Sequence, residues 1–344
     1  MKNFGSLVIG IILFFAAFGL LWWNEGNSAK KINIANYTNK NAIEVSSNNI
    51  QRDNDNKLIA TNGQALTSST LSDGFVNSPN TLVLERTVRM YQWIEESEDG
   101  KTVYKKDWSD IEQNSDEFED KSHRNPKFTI ASNEYIAPNA TLGQYDLSER
   151  QIGLIDPQNE FSNLTEKTGF EIINNQYYKG KNIEDPEVGD ILISYNYAPS
   201  GSAISIIGEQ KSDNTIVSMI HKKLGKIYIQ YDGKMTKDEM LEKYRNDNKM
   251  LTMFLRFLGW FLMFIGLKLF FEPLMSILNF IPILGKLADT ATTFIFALTT
   301  FILSLFTISI AWFAYRPLLS ISLIATGGLI AYFAKKKLNQ KAIS

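Results

Sequence analysis

The sequence predicts a multi-pass membrane protein of mixed α+β class, with four transmembrane helices and a large strand-rich extramembrane domain. One helix is N-terminal and three are C-terminal, so the domain is inserted between spans one and two. Three observations carry this reading. Long apolar runs with few charges lie at both ends of the chain, and the stretch between them alternates apolar and polar residues with the period of a strand. Charge divides in the same way: residues 25–250 carry 35 acidic against 26 basic side chains, and the rest of the chain carries 2 against 9.

From Gly5 to Trp23 there is no charge, and about 20 apolar residues cross a ~30 Å hydrocarbon core. The run ends in Leu21-Trp22-Trp23-Asn24-Glu25. Signal cleavage needs small residues at that point, whereas paired Trp fits an interfacial belt, so span one (5–23) reads as an uncleaved anchor. Span two (253–271) contains Arg256 and Lys268 near its ends, where both can snorkel to an interface. The piece 274–285, broken by Pro282 and Gly285, is too short to cross and reads as an interfacial or re-entrant segment. Span three (291–314) and span four (317–334) are joined through Tyr315-Arg316-Pro317, a tight hairpin whose proline starts the last helix. A basic tail (335–344) follows. Lys2, Lys286, Lys335, Lys336, Lys337 and Lys341 favour cytoplasmic termini and an exoplasmic domain, opposed by Lys30, Lys31, Lys243, Arg245, Lys249 and Arg316.

Within 25–250 the clearest strands are 82–94 and 191–197, with others at 101–108, 128–136, 203–209 and 226–231. A short helix is expected around 147–155. Asn33–Asn80, rich in Asn, Ser, Thr and Gly, reads as loop with a few short strands. Thr236-Lys237-Asp238-Glu239 has the spacing of a capping box and predicts a helix starting near 236 and running toward span two.

Little in the sequence points to catalysis. The absence of cysteine removes thiol nucleophiles, cysteine zinc sites and iron–sulfur clusters. His123 and His221 stand in no zinc-binding spacing, and Asp53-Asn54-Asp55-Asn56-Lys57 lacks the glycine and later glutamate of a calcium loop. Glu95–Asp120 holds eleven acids against three lysines and reads as a solvated hairpin and loop. No phosphate-cradling or nucleophile-elbow motif is present. An acidic domain repels nucleic acid, and neither a metal nor a cofactor is expected. The polar content of span three is Ser and Thr, which serve helix packing. Arg316 reads as an interfacial anchor or, more sharply, as a contact to an anionic lipid headgroup.

Several words recur in a known order: Asn24-Glu25-Gly26, Met90-Tyr91-Gln92-Trp93 with Glu95, Trp108, His123 with Asn125-Pro126, Pro186-Glu187-Val188-Gly189-Asp190, Gly259-Trp260, Gly266 and Tyr315-Arg316-Pro317-Leu318. With the one-plus-three layout, they make the chain resemble the transmembrane protein 43 (LUMA) family over nearly its whole length. The resemblance implies a four-span integral membrane protein with an exoplasmic or lumenal domain and cytosolic termini. Eukaryotic members are envelope organisers of the endoplasmic reticulum and inner nuclear membrane that self-associate and hold membrane protein complexes. Only four residues precede span one here, where such members carry a long polar extension; with the Asn/Lys/Ile-rich wording this suggests a prokaryotic member, located in the cytoplasmic (inner) membrane.

The expected function is therefore a scaffold organising membrane or envelope protein complexes, with membrane lipids, other membrane proteins and further copies of itself as partners. The alternative is an enzyme or binder acting on lipid or envelope material at the outer leaflet. The candidate functional residues are Glu25, Tyr91, Trp93, Glu95, Trp108, His123, Asn125, Asp190 and Arg316. In the alternative, Glu95 serves as a general base and His123 as an acid or ligand, provided the fold brings them together.

Overall fold

No proline interrupts the chain between Lys2 and Asn41, and past Trp23 the residues Asn24, Glu25, Ser28, Ala35 and Thr38 keep to the helical face begun by Leu21. In the computed structural model of the protein, which describes residues 2–98, 100–278, 282–318, 320 and 321, the stretch is one helix, α1 (Lys2–Asn41). That face is buried along its length. Asn33–Asn41 is thus helix where composition predicts loop, because the register of small and polar residues continues after the apolar run stops.

The capping box at Thr236 forms as expected. The Glu239 amide donates to Thr236 Oγ1 (3.3 Å), and the Thr236 amide donates to Glu239 Oε2 (2.8 Å). Among the described residues two further long helices follow, and a four-residue turn of helix, α2 (Glu149–Ile152), lies within the inserted domain. α3 (Lys237–Leu278) passes through Pro273, and α4 (Pro282–Tyr315) follows. Residues 274–278 continue α3 and 282–285 open α4, so no separate re-entrant segment forms in the described backbone. Proline removes one helical hydrogen bond without necessarily ending the helix. Among the described residues three helices are long and apolar enough to cross a membrane: 5–41, 237–272 and 292–315. The expected fourth span lies outside the described residues except at 317, 318, 320 and 321, where the helical backbone resumes at Pro317.

The chain divides into two units, one of helices (to Lys40 and from Leu241) and one comprising Asn41–Met240. The strand-rich domain is accordingly narrower than the 25–250 expected. In the helical unit α1 and α3 run antiparallel in close contact. A Cβ on Gly10 would meet the Gly266 carbonyl oxygen at 2.7 Å, and one on Gly266 would meet the Phe14 amide at 2.6 Å. The backbones touch because neither position carries a side chain. Leu21 covers Gly259, and Ala17, Leu21 and Met263 form a core with Leu303 and Ile308 of α4. Thr300, Ser304, Thr307 and Ala311 face inward. Their hydroxyls donate to carbonyls of their own helix, at Phe296, Phe301 and Leu303. The Ser/Thr face of α4 is therefore already occupied within the chain.

In the strand-rich unit the strands are β1 (Ile43–Glu44), β2 (Leu58–Leu66), β3 (Leu71–Ser72), β4 (Asn77–Ser78), β5 (Thr81–Glu98), β6 (Lys101–Ser109), β7 (Asn133–Ile136), β8 (Ala140–Leu142), β9 (Tyr145–Leu147), β10 (Asn159–Glu160), β11 (Glu171–Ile173), β12 (Gln176–Lys179), β13 (Ile191–Pro199), β14 (Ser202–Gln210), β15 (Ile216–Val217), β16 (Met219–His221), β17 (Gly225–Ile227) and β18 (Ile229–Asp232). One sheet has the order β15-β14-β2-β8-β9, with β1 parallel to β2 and β18 on β14. A second has the order β11-β12-β13-β5-β6, with β10 on β13 and β7 on β5, and β16-β17 and β3-β4 form two-stranded sheets of their own. One cluster buries Ile59, Leu82, Tyr145, Ile204 and Ile206, and another Leu84, Val88, Tyr177, Ile193 and Tyr195.

The 18-residue β5 positions most of the candidate residues. It pairs with β13 from Thr81 to Met90, then leaves that neighbour and continues with β6 alone. In the loop between β3 and β4, Asp73 is sealed from solvent and accepts hydrogen bonds from the amides of Phe75 and Val76, the Tyr195 hydroxyl (2.6 Å) and Arg86 Nη1 (2.7 Å). Burial by itself would raise the Asp73 pKa. The bonds from Tyr195, Val76 and Phe75, with the Arg86 charge, outweigh it and hold the carboxyl below the ordinary range.

Candidate functional site

In the helical unit, Glu25 is fully buried. A buried carboxylate needs its charge and its lone pairs met by protein groups, and here two helices supply them. From α3, Arg256 makes a two-pronged contact, Nε to Oε1 at 2.6 Å and Nη2 to Oε2 at 2.9 Å. From α4, Trp312 Nε1 donates to Oε2 at 2.7 Å. The two-pronged geometry is the strongest a guanidinium offers a carboxylate. The Arg256 guanidinium also lies 5.6 Å from the centre of the Trp312 ring, so the three side chains form one stack.

Around this stack the helices exchange further polar contacts. Asn24 Nδ2 donates to the Thr252 carbonyl (3.1 Å), Asn248 Nδ2 reaches the Ser28 carbonyl (3.4 Å), and Thr252 Oγ1 caps the Asn248 carbonyl (2.6 Å). Arg316, in the one non-helical residue between α4 and Pro317, donates from Nη2 to Ser28 Oγ (3.0 Å) and stands 6.0 Å from the Trp312 ring centre. The structure therefore brings Glu25 and Arg316 to one place, although they are 291 positions apart.

In the strand-rich unit the hairpin of β5 and β6 gathers a second group. Tyr91 faces Trp108 across the strands, with ring centres 5.4 Å apart. The Asn125 side chain binds Trp93 as a neighbouring strand would, its Oδ1 accepting from the Trp93 amide (2.8 Å) and its Nδ2 donating to the Trp93 carbonyl (2.9 Å). His123 packs edge-on to Trp93 (4.4 Å) and stacks flat on Tyr104 (4.1 Å between centres). Lys106 Nζ lies 4.9 Å from the Trp93 ring centre.

Glu95 and His123 meet through Tyr104, which lies between them. Glu95 Oε2 accepts from the Tyr104 hydroxyl and the Glu119 amide, each at 2.6 Å, while His123 Nδ1 pairs with Asp120 (3.1 Å). Among the described residues no ion pair joins Glu95 to His123. The bond from Tyr104, followed by that from the Glu119 amide, holds the Glu95 carboxyl below its usual range. That shift suits a fixed acceptor and weakens a general base at neutral pH. Asp190 is also committed: its Oδ2 accepts from the Tyr178 hydroxyl (2.7 Å) and the Glu187 amide (3.0 Å). Burial first, and Asp190 second, push the Tyr178 hydroxyl up to about 12. Gly189 adopts φ +103°, and the turn clamps Tyr91 by backbone bonds in both directions, each 2.9 Å.

The helical site residues the sequence reading passed over are Arg256, Trp312 and Ser28, and in the hairpin Tyr104. Arg256 left a signal, since an ionisable residue inside a span calls for a partner and Glu25 is the one acid beside span one. Tyr104 left none, because its place opposite Glu95 is a property of strand register. Among the described residues no cluster of His, Asp and Glu has the makings of a metal site.

Residues 90–317 match the family model described as Transmembrane protein 43. Among curated proteins, the chain is 29% identical to Transmembrane protein 43 of Homo sapiens over a 347-residue alignment that covers 91% of this chain and 85% of that protein. It is 28% identical to Transmembrane protein 43 of Rattus norvegicus with the same coverage. Identity to the Transmembrane protein 43 homolog of Drosophila melanogaster is 25%, covering 93% of this chain and 91% of that one. No solved structure matches the chain.

Proposed function

The chain belongs to the transmembrane protein 43 family, and from that premise we propose that it is an integral membrane organiser and not an enzyme. Its strand-rich unit holds partner proteins on the exoplasmic side, its termini are cytoplasmic, and its helices gather further copies of the chain and other membrane proteins. In a prokaryote the membrane is the cytoplasmic one; in a eukaryote it is the endoplasmic reticulum or inner nuclear membrane.

One observation carries this reading. The acids and the histidine picked out from the sequence are each engaged in holding the fold: Glu25 by Arg256 and Trp312, Glu95 by Tyr104 and a backbone amide, His123 by Asp120 and Asp190 by Tyr178. Glu95, the candidate base, is in addition held below its usual range by those bonds, which weakens it as a base at neutral pH. What stays exposed suits recognition instead. On α4, Phe294, Leu298, Phe301 and Leu305 form an outward apolar face, and because the Ser/Thr face is buried in the chain, contacts between copies use this outward face. On the hairpin, the half-buried Tyr91, Trp93 and Trp108 lie among exposed charges, a composition typical of protein contacts.

Crosslinking in native membranes, read by mass spectrometry, tests the proposal. Discrete homo-oligomers or a stoichiometric membrane partner are the expected result, and crosslinks to the α4 face Phe294–Leu305 locate the contact. A chain that is monomeric and without neighbours in its own membrane overturns it.

A further inference from the structure

Arg316 is the surplus charge of the helical unit. The Glu25 carboxylate is taken up by Arg256 and Trp312, whereas Arg316 gives one N–H to Ser28 Oγ. No carboxylate lies within ion-pairing distance of it among the described residues. The sequence explains why. Outside 25–250 the chain has two acids, Glu272 and Asp289. Glu272 lies sixteen helical residues beyond Arg256, about 24 Å at the rise of an α-helix. Asp289 lies nearer the start of α4, twenty-three positions before Trp312. Glu25, Arg256 and Arg316 together carry a net charge of +1.

The surroundings of Arg316 are those of a membrane boundary. Trp22, Trp23 and Tyr315 are 38%, 57% and 41% exposed, and Leu318, two residues on, is 84% exposed. Trp22 and Tyr315 lie 5.5 Å apart, and Gly26 gives the Tyr315 ring room against α1. Amphipathic rings of this kind settle at headgroup depth. At that depth phosphate groups are the anions within reach of a guanidinium that has no carboxylate, and its planar fork fits phosphate oxygens.

We propose that Arg316, held in place by the buried Ser28 hydroxyl, binds the phosphate of an anionic phospholipid headgroup, with Trp22 and Tyr315 flanking the lipid. The occupant is a lipid and not a soluble anion because the exposed neighbours are apolar and aromatic, which suits acyl chains and glycerol. Arg256 contributes positive potential, its fork oriented by the contact with Glu25. The site is independent of any protein partner.

The full chain in nanodiscs of equal phosphatidylglycerol and phosphatidylcholine, analysed by native mass spectrometry for retained lipid, tests this. The unaltered protein retains phosphatidylglycerol about tenfold over phosphatidylcholine, Arg316→Gln brings the ratio close to one, and Arg316→Lys keeps part of it. Ser28→Ala, which leaves the charges in place, lowers the ratio about threefold. A ratio near one in the unaltered protein overturns the proposal, as does an unchanged ratio in Arg316→Gln. Displacement of the lipid by millimolar inorganic phosphate overturns the lipid assignment in favour of a free anion. If Arg316→Gln does not fold, the unaltered protein and Ser28→Ala decide by the same ratios, with an unchanged ratio in Ser28→Ala counting against the site.

Discussion

Glu25 in the helical unit and Glu95 in the strand-rich unit are both carboxylates held by short hydrogen bonds, but their partners come from different distances along the chain. Those of Glu25 are 231 and 287 residues away, and those of Glu95 are 9 and 24 residues away. The difference follows from the solvent. Sealed among three helices, Glu25 has no water to complete a hydration shell, so the buried charge requires side chains from other helices and becomes the point where those helices are pinned. In a water-facing unit, solvent meets whatever a hairpin neighbour does not, and satisfaction stays local. Asp73 falls between the two: it is sealed off like Glu25 but served mainly by residues near it in sequence, Phe75, Val76 and Arg86, with Tyr195 the distant one.

The sharpest way to break this comparison is Glu25→Gln. It strands Arg256 beside a neutral amide, and removing one partner of a buried pair costs about 3–5 kcal/mol. A thermal melt of the protein in nanodiscs reads this as a large fall in Tm, and a fall no larger than that of a hairpin variant would erase the distinction. Arg86→Met comes next, at about 2 kcal/mol, because Asp73 keeps its other three donors. Asp73 also sets a pH dependence. Its folded pKa lies below the ordinary aspartate value of about 3.9, so its contribution is complete above that value and is lost as pH falls through the lower, folded value. Acid titration of stability followed by circular dichroism shows the loss below pH ~4, with a shallower slope in Arg86→Met. Asn125→Ala removes both bonds to Trp93 from a half-exposed strand and costs about 1 kcal/mol by denaturant titration. Lys105→Ala breaks an exposed pair with Glu96, and its expected effect stays within ~0.5 kcal/mol.

What was legible in the sequence follows the same division. Strands β5, β6, β13 and β14 were predicted to within a few residues, since alternation over 82–94 or 203–209 is a local signal that survives into the fold. The capping box at Thr236 was legible for the same reason. The helical reach of α1 to Asn41 was not, because apolar content ends at Trp23 and the continuing face is made of Asn, Glu, Ser, Ala and Thr. β2 was hidden in a stretch whose Asn, Ser and Thr content resembles loop, although Leu58, Ile59 and Ala60 are buried. Glu25 is legible through family words and Arg316 also as the one charge in the turn after span three. Their meeting depends on three helices folding together, which no window of sequence encodes.

The pairing of Asn125 with Trp93 bears on what the domain does at high local concentration in a membrane. Past Met90, β5 parts from β13 and offers bare N–H and C=O groups along one side, the kind of template that recruits foreign strands. The Gly189–Asp190 turn occupies the groups of Tyr91, and one side-chain amide occupies both groups of Trp93. Beyond it come Glu95, Glu96 and Glu98, whose like charges repel a second copy of the same edge. The hairpin edge is thus closed to strand addition at Tyr91 and Trp93 by hydrogen bonds and guarded beyond them by charge, so its half-buried aromatic rings stand without an open main-chain template beside them.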